Sequence, residues 1–359
     1  MPHIFKAIQG GWSCALVGLA GAGLSNVLRF VCEPDVVASY LGAANTLLVY
    51  VEGDMLSETH ELDRALARQI TVSAKAFDWP RADLAALRSL ANRSPAHGLG
   101  LEADEGLSAY LDYLCGPHGK GRRLVFAFDE FDQPFLRLPA SGLRRLRALR
   151  DAYKYRLAYL VGTRVELTRL AGRRSPVEAD VSKFTELSDQ HRFPVRPYRP
   201  PDAQGLLARK TFNWVQLLSA EQADQLYRAT GGHAKLLVAG LTCMADRLHL
   251  PWPNIERGLC AEGSLAEICR EIWDDLDAGE RAALGLLAEE RRSEIALEDL
   301  AWLKLKGLVV GGPEFIFSTI FEAFVGAQRE GALPSPPLAD SGGGRETSKL
   351  RDPETKIYW

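Results

Sequence analysis

The sequence lacks paired cysteines, long apolar runs and a strong net charge. Its six cysteines form no C-x-x-C pair, which disfavours a zinc site or a disulfide framework and predicts reduced thiols in the cytosol. No apolar run approaches the length of a membrane span, and no signal-peptide core precedes residue 13. A net charge of −3 gives no general attraction to nucleic acid or anionic membranes. We therefore expect a cytoplasmic protein with no membrane partner.

The residues that are present can form a sizeable core. The chain has 359 residues, of which 47% are hydrophobic and 25% charged, as in globular proteins of two or three domains. Strand patterns alternate with helical spacing before residue 196, and parallel strands joined by helices give such alternation. The predicted strands are 13–17, 46–51, 123–128, 157–161 and 193–195. The predicted helical segments are 25–37, 57–114 with breaks at Pro80 and Pro95, and 144–155.

A cluster of prolines marks the end of this α/β core. Pro194, Pro197, Pro200 and Pro201 fall together, and prolines at this density indicate a boundary. We predict a core over 1–196, a helical lid over 197–256, a winged-helix domain over 257–330, and a linker and tail over 331–359. The winged-helix prediction depends on short helices followed by a hairpin at 308–317.

A glycine-rich turn follows the first strand. It fits the phosphate-loop pattern G-x-x-x-x-G-K-[ST] at Gly18, Gly23 and Ser25, but Leu24 stands at the lysine position. Such loops turn successive backbone N–H groups towards one point at a helix N-terminus, while the hydroxyl contacts a phosphate-bound magnesium. A small-residue turn formed only for packing is the alternative. The candidate nucleotide-contacting residues are Gly18, Gly21, Ala22, Gly23, Leu24, Ser25 and Asn26, with Ser25 also a candidate metal ligand.

Polar residues also end two later strands. The apolar run 124–128 ends in Asp129-Glu130, and the next strand ends in Thr163-Arg164. Ligands of parallel sheets bind at the carboxyl ends of strands, so Asp129 is a candidate magnesium ligand and Glu130 a candidate for polarising water. Thr163 and Arg164 are candidates for contacting a terminal phosphate or orienting that water. Ordinary loop-starting residues are the alternative at both places.

A fourth feature is the turn at 230–235. Gly231-Gly232 precedes His233 and Lys235, and two glycines allow close backbone approach to a ligand. His233 is therefore a candidate nucleotide contact. A capping or surface histidine is the alternative.

In this order, the four features resemble AAA+-type P-loop ATPases, particularly the STAND branch and the archaeal and origin-recognition ATPases. The resembling segments are Gly18–Ser25 as Walker A, Phe126–Glu130 as Walker B, Thr163-Arg164 as sensor 1, Thr230–Lys235 as the lid turn and Cys269–Val325 as the winged helix.

The resemblance implies a parallel α/β core with a lid and a winged helix, binding ATP or ADP with Mg²⁺ as a regulatory switch. Two residues depart from the family pattern. Leu24 replaces the lysine, which implies weak or absent hydrolysis, and Ala234 stands where STAND proteins commonly have proline. Arg29, or an arginine of a neighbouring subunit, is a hypothetical replacement cation.

Charge is unevenly distributed, which bears on partners. The segment 122–174 is rich in arginine, whereas 257–330 is rich in acidic residues. A DNA-binding surface needs cations, so the acidic module is expected to contact protein. We expect a protein partner or self-association. A DNA-associated transcription regulator that keeps a degenerate ATPase as scaffold stays an alternative, since 350–359 resembles the opening hairpin of an OmpR-type domain.

Overall fold

A five-stranded parallel sheet forms the centre of the N-terminal region. The computed structural model describes residues 1–42, 45–56, 62–93, 103–174, 179–211, 218–246 and 255–329. The sheet has the order β2-β3-β4-β1-β5, and each neighbouring pair is parallel. The predicted α/β fold with a parallel sheet is therefore confirmed. The strands are β1 (Cys14–Gly18), β2 (Thr46–Glu52), β3 (Arg123–Asp129), β4 (Leu157–Thr163) and β5 (Arg192–Val195).

Ten helices of the described residues accompany this sheet. Along β3, Val125 and Ala127 face one apolar layer while Phe126 and Phe128 face the other, as the two-residue period of a strand requires. Both faces are covered, so the central strands β1, β3 and β4 are buried along almost their whole length, whereas the edge strands β2 and β5 are partly exposed. The helices are α1 (Pro2–Gln9), α2 (Leu24–Val31), α3 (Pro34–Leu41), α4 (Leu62–Ala76), α5 (Arg81–Arg93), α6 (Ala103–Cys115), α7 (Asp132–Arg137), α8 (Ala140–Ala152), α9 (Leu167–Arg173) and α10 (Ala179–Thr185).

The helix predicted over 25–37 is wrong. Two helices, α2 and α3, occupy this stretch, and Pro34 stands in the first turn of α3. Proline lacks the N–H that a continuing helix needs, whereas a first turn tolerates it. The predicted break at Pro80 is confirmed, because α4 ends before it and α5 begins at Arg81. Pro95 lies outside the described residues.

The C-terminal half is helical apart from one small hairpin. Four helices follow the sheet: α11 (Pro200–Thr211), α12 (Ala220–Thr230), α13 (Ala234–Asp246) and α14 (Ile255–Cys260). The C-terminal unit, residues 263–329, then has α15 (Gly263–Asp274), α16 (Ala278–Ala288), α17 (Leu297–Lys306), the antiparallel pair β6 (Val309–Val310) and β7 (Phe315–Ile316), and α18 (Thr319–Arg329). Helices followed by a hairpin are the order that the sequence predicts.

Helices α11 to α14 and the C-terminal unit share one apolar core. Most of its buried members lie between Ala203 and Val325. Leu19 and Ala22 of the glycine-rich loop also belong to it. The loop is therefore packed against the C-terminal half as well as against its own sheet. The boundaries at 197 and 257 stay predictions, and 331–359 lies outside the described residues.

Candidate functional site

The glycine-rich loop is open and its helix N-terminus is uncapped. Gly21 and Gly23 have φ of +71° and +94°, which favours glycine because a side chain would be strained there. Gly23 is the N-cap of α2 and supplies no side-chain hydrogen bond. Among the described residues, no carbonyl accepts from the amides of Leu24 or Ser25. These orphan donors, together with the helix dipole, favour an anion at this point.

Leu24 lies in the apolar layer beneath the loop. Its side chain is buried and belongs to the cluster that contains Leu28. A β-carbon added at Gly162 of β4 would lie 3.5 Å from Leu24 Cδ2 and 2.5 Å from Leu28 Cδ1. Position 24 is thus packed against the sheet and serves as a core residue.

A cavity of about 150 Å³ opens beside the N-terminus of α2. It brings together Ser25, Asp129 and Glu130, which the sequence predicts to act together. Asn26 is exposed on the same helix. Gly18 ends β1, where an added β-carbon would lie 3.1 Å from Val195 Cβ, so its role is also packing. The cavity-lining residues are Ser25, Arg29, Tyr50, Glu52, Gly53, Asp54, Asp129 and Glu130.

Asp129 is held by hydrogen bonds that the sequence does not predict. Its side chain is buried, Oδ2 accepts from the Tyr50 hydroxyl at 2.6 Å, and Oδ1 accepts from the Glu130 amide at 3.0 Å. Burial and the hydrogen bond to Asp129 raise the pKa of Tyr50, so this hydroxyl stays a proton donor. Tyr50 lies on the neighbouring strand β2. Nothing near Tyr50 in the sequence indicates that its hydroxyl contacts Asp129.

Glu130 is exposed and has a left-handed backbone. Its φ is +48°, a conformation that costs a non-glycine residue energy and is concentrated at functional sites. Its Oε1 lies 3.4 Å from Arg164 Nη2. The structure therefore places Glu130 and Arg164 in contact, as expected for residues acting at one site.

Asp132 joins the two strand ends and was missed by the sequence analysis. Its carboxylate accepts from the amides of Arg164 and Val165 at 2.9–3.1 Å. Burial raises the pKa of Asp132, although these hydrogen bonds oppose the shift. The sequence does contain a signal for Asp132, because it is a third carboxylate, two residues after Glu130.

Thr163 is fully buried at the end of β4. Its hydroxyl has no hydrogen-bond partner among the described residues. A buried hydroxyl without a partner is costly, and a phosphate oxygen or a bound water would satisfy it. This orphaned group is consistent with a ligand near the strand ends.

His233 joins the start of α13 to the glycine-rich loop. The ring is fully buried, Nε2 donates to the Ala20 carbonyl at 2.8 Å, and Nδ1 accepts from the Leu236 amide at 3.3 Å. Burial lowers the pKa of His233 to about 4, so the ring is neutral at pH 7. Both ring nitrogens are engaged by backbone, and the residue positions the loop rather than offering a nitrogen to a ligand.

The rest of the lid turn completes this attachment. The Lys235 amide donates to the Gly21 carbonyl at 3.1 Å. A β-carbon at Gly231 would lie 2.1 Å from the Phe317 carbonyl oxygen, and one at Gly232 would lie 2.2 Å from the Tyr198 carbonyl oxygen. The two glycines therefore serve close packing with the C-terminal unit and with the segment before α11.

Ion pairs connect the segment that follows β4 with the C-terminal unit. Arg164 Nη1 lies 3.9 Å from Asp275 Oδ2, and Arg169 pairs with Asp277. Burial raises the pKa of Asp275 to about 6, and Arg164 partly offsets this. Arg169 Nη1 also lies 3.6 Å from Glu280 Oε1, and Glu280 pairs within the C-terminal unit with Lys306 at 2.7 Å, both side chains being 1% exposed. The strand end that carries Arg164 is thus in contact with both Glu130 and the C-terminal unit.

Many arginines of 122–174 are engaged within the chain. They bind carboxylates or backbone carbonyls rather than forming one open cationic face. The pairs are Arg122 with Asp83, Arg145 with Asp63, Arg147 with Asp151, Arg156 with the Cys115 carbonyl and Arg174 with the Leu138 carbonyl.

No cluster of three or more His, Cys, Asp or Glu side chains among the described residues could hold a metal ion by itself. Within the same ranges, no helix combines the length and apolarity needed to cross a membrane.

Comparison with known proteins gives similarity at the level of structure. Neither family models nor curated proteins match this chain. A Walker-type ATPase of Pyrococcus abyssi matches with a TM-score of 0.51 and 13% identity, covering 90% of this chain and 93% of that one. The ORC2 protein of Aeropyrum pernix in its ADP form matches with a TM-score of 0.50 and 14% identity, covering 91% of each chain. At this identity the likeness concerns the fold, and the chain has the α/β P-loop fold of the AAA+ ATPases.

Proposed function

We propose that this chain is a cytoplasmic, nucleotide-dependent switch of the AAA+/STAND type that binds ATP or ADP. The observation that carries the proposal is the uncapped N-terminus of α2. The amides of Leu24 and Ser25 lack acceptors in the described structure, and they adjoin a cavity lined by Ser25, Asp129 and Glu130. Backbone donors beside paired carboxylates suit a polyphosphate with a divalent cation.

The residues present fit both groups. Backbone amides of Gly21 and of Gly23–Asn26 would bind the phosphates, whereas the Ala22 amide donates to the Leu19 carbonyl at 3.0 Å. Ser25 with Asp129 would hold Mg²⁺, Asp129 through water. Bound magnesium would neutralise phosphate charge. The buried Thr163 hydroxyl, which has no partner in the described structure, is available to the terminal phosphate or to a water.

We infer that the site binds nucleotide but hydrolyses it slowly or not at all. Lysine at position 24 would stabilise charge that develops during phosphoryl transfer, and the buried Leu24 cannot. Glu130 is in addition paired with Arg164, which draws its carboxylate away from a water. The site therefore favours nucleotide binding with slow or absent hydrolysis.

Arg164 supplies a route from nucleotide to conformation. It lies between Glu130 and Asp275 of the C-terminal unit, so a ligand that repositions Glu130 also changes this contact. A ligand shifts such an equilibrium only by binding one arrangement better than the other. We propose that nucleotide state sets how firmly the C-terminal unit, which we interpret as a winged helix, is held against the core, and that a protein partner or a second copy senses this.

The alternative of a DNA-associated regulator has less support. Many arginines of 122–174 are engaged internally, and the C-terminal unit contributes Asp275, Asp277 and Glu280 to its contact with the core. Salt-dependent DNA binding by the purified chain would favour this alternative.

Calorimetric titration with ATP and with ADP, each with Mg²⁺, tests the proposal. We expect saturable binding of one nucleotide per chain and a rise in melting temperature. Ser25→Ala should weaken magnesium-dependent binding, whereas Ser89→Ala, at an exposed position of α5, should not. The absence of both heat and thermal shift in the unmodified chain would contradict nucleotide binding.

An ATPase assay on the chain and on Leu24→Lys tests the catalytic part. We expect little turnover from the natural chain and more from the variant. Equal, clear activity in both would contradict the inference of impaired hydrolysis.

A further inference from the structure

A cation lies one helical turn beyond Ser25. We propose that Arg29 binds the terminal phosphates of the nucleotide and replaces the lysine that is missing at position 24. This inference rests on the proposed function, because it names the cation of the same site.

The position of Arg29 on α2 suits this role. Ser25 and Arg29 are four residues apart, so they share one face of the helix and lie about 6 Å apart along its axis. Helical side chains lean towards the N-terminus, which directs the Arg29 side chain back towards Ser25. Both residues line the same cavity, and 56% of the Arg29 side chain is exposed.

Neighbouring residues orient the guanidinium without using all its donors. Arg29 Nε donates to the Tyr50 hydroxyl at 3.2 Å, and the guanidinium carbon lies 5.3 Å from the centroid of the Tyr50 ring. Nη2 lies 3.5 Å from Glu52 Oε1. A guanidinium has five N–H donors, so others can meet phosphate oxygens in the paired geometry that arginine favours. Tyr50 in turn donates to Asp129, which ties the cation to the candidate magnesium ligand.

The charge of the cavity makes such a cation necessary. Four carboxylates line it, those of Glu52, Asp54, Asp129 and Glu130, and Arg29 is the basic residue among the lining side chains. Without Arg29 a polyphosphate would meet four carboxylates and no cationic side chain there, and magnesium alone would have to offset them.

Two other basic residues near the loop, Lys235 and Arg164, are not among the residues that line the cavity. The Lys235 ammonium lies 2.5 Å from Glu271 Oε2, and Arg164 lies between Glu130 and Asp275. The Arg29–Glu52 contact is longer than the Lys235–Glu271 contact, and 55% of the Glu52 side chain is exposed. Exposed ion pairs are weak, so a phosphate can compete for Arg29.

Calorimetry of the full chain tests the inference with ATP, ADP and adenosine as ligands, the nucleotides with Mg²⁺. Arg29→Ala should weaken ATP binding about tenfold or more, as loss of a charged hydrogen bond does, and leave adenosine binding unchanged. Arg29→Lys should keep part of the affinity. The matched control is Arg88→Ala, at an exposed arginine of α5, and it should bind as the natural chain does.

A double variant separates ligand binding from a structural role. Leu24→Lys should restore ATP affinity in the Arg29→Ala background by more than it improves the natural chain, since the two cations would serve the same phosphates. Additive effects would overturn the inference.

Glu52→Gln provides a test that keeps Arg29. This change removes a competing carboxylate and should tighten ATP binding, and an unchanged or weaker affinity would count against the inference. If the natural chain binds ATP and Arg29→Ala binds equally well, or if only Lys235→Ala loses affinity, this inference fails while the proposed function stands. If the natural chain binds no nucleotide, both fail.

Discussion

Acid should weaken the contact between His233 and the glycine-rich loop and so lower the stability of the folded chain. Its ring is fully buried, and Nε2 donates to the Ala20 carbonyl in the loop. Protonation would place a charge where both nitrogens already have backbone partners, and Nδ1 would lose its ability to accept from Leu236. We therefore expect the free energy of unfolding to fall as this histidine is forced to ionise.

The magnitude follows from the two pKa values. The folded pKa is about 4, and the unfolded value is about 6.5. Between these pH values the unfolded chain binds more protons than the folded chain, so stability is full above pH 6.5 and is lost as the pH falls towards 4. At roughly 1.4 kcal/mol per pH unit, His233 alone removes about 3 kcal/mol across this window.

Urea unfolding followed by fluorescence, at a series of pH values from 7.5 to 4.5, measures this loss. The comparison is His233→Gln, whose amide nitrogen can take the place of Nε2 and does not titrate. Other groups titrate equally in both proteins, so the difference between them isolates His233. We expect the natural chain to lose more stability than the variant as the pH falls. Parallel curves would refute the reasoning.

Three further changes have expected outcomes. Asp275→Asn should raise the free energy of unfolding at pH 7.5 by up to about 3 kcal/mol, because burial raises the pKa of this carboxyl to about 6. Urea titration should show that this gain vanishes below pH 4. Thr163→Val removes a buried hydroxyl without a described partner, so it should raise unliganded stability by about 1 kcal/mol and weaken ATP binding, both measured by thermal shift. Gly231→Ala should cost about 2 kcal/mol or more, since its β-carbon would lie 2.1 Å from the Phe317 carbonyl oxygen, and an unchanged melting temperature would contradict this.

The sheet could be predicted from the sequence because its signals are local. Strand β3 is a run of apolar residues that ends in Asp129, and its alternate side chains fill two apolar layers. The loop glycines, the carboxylates after β3 and the polar end of β4 follow from the same local order. Pro34 is also a local signal, because proline favours the first turn of a new helix and predicts the division between α2 and α3.

The remaining site contacts depend on partners far apart in the chain. Tyr50 and Asp129 meet because β2 and β3 are neighbours in the sheet, and His233 reaches Ala20 across more than 200 residues. A lone tyrosine or histidine gives no indication of such a partner. Asp275, likewise, reads as part of an acidic surface until the structure places it beside Arg164.

Hydrogen exchange at the amides of residues 21–25, measured with and without ATP and Mg²⁺, tests most directly whether the main chain of the loop holds a polyphosphate. The account predicts that these amides, led by those of Leu24 and Ser25, exchange more slowly once nucleotide is added. Unchanged exchange in this segment at saturating nucleotide would contradict it.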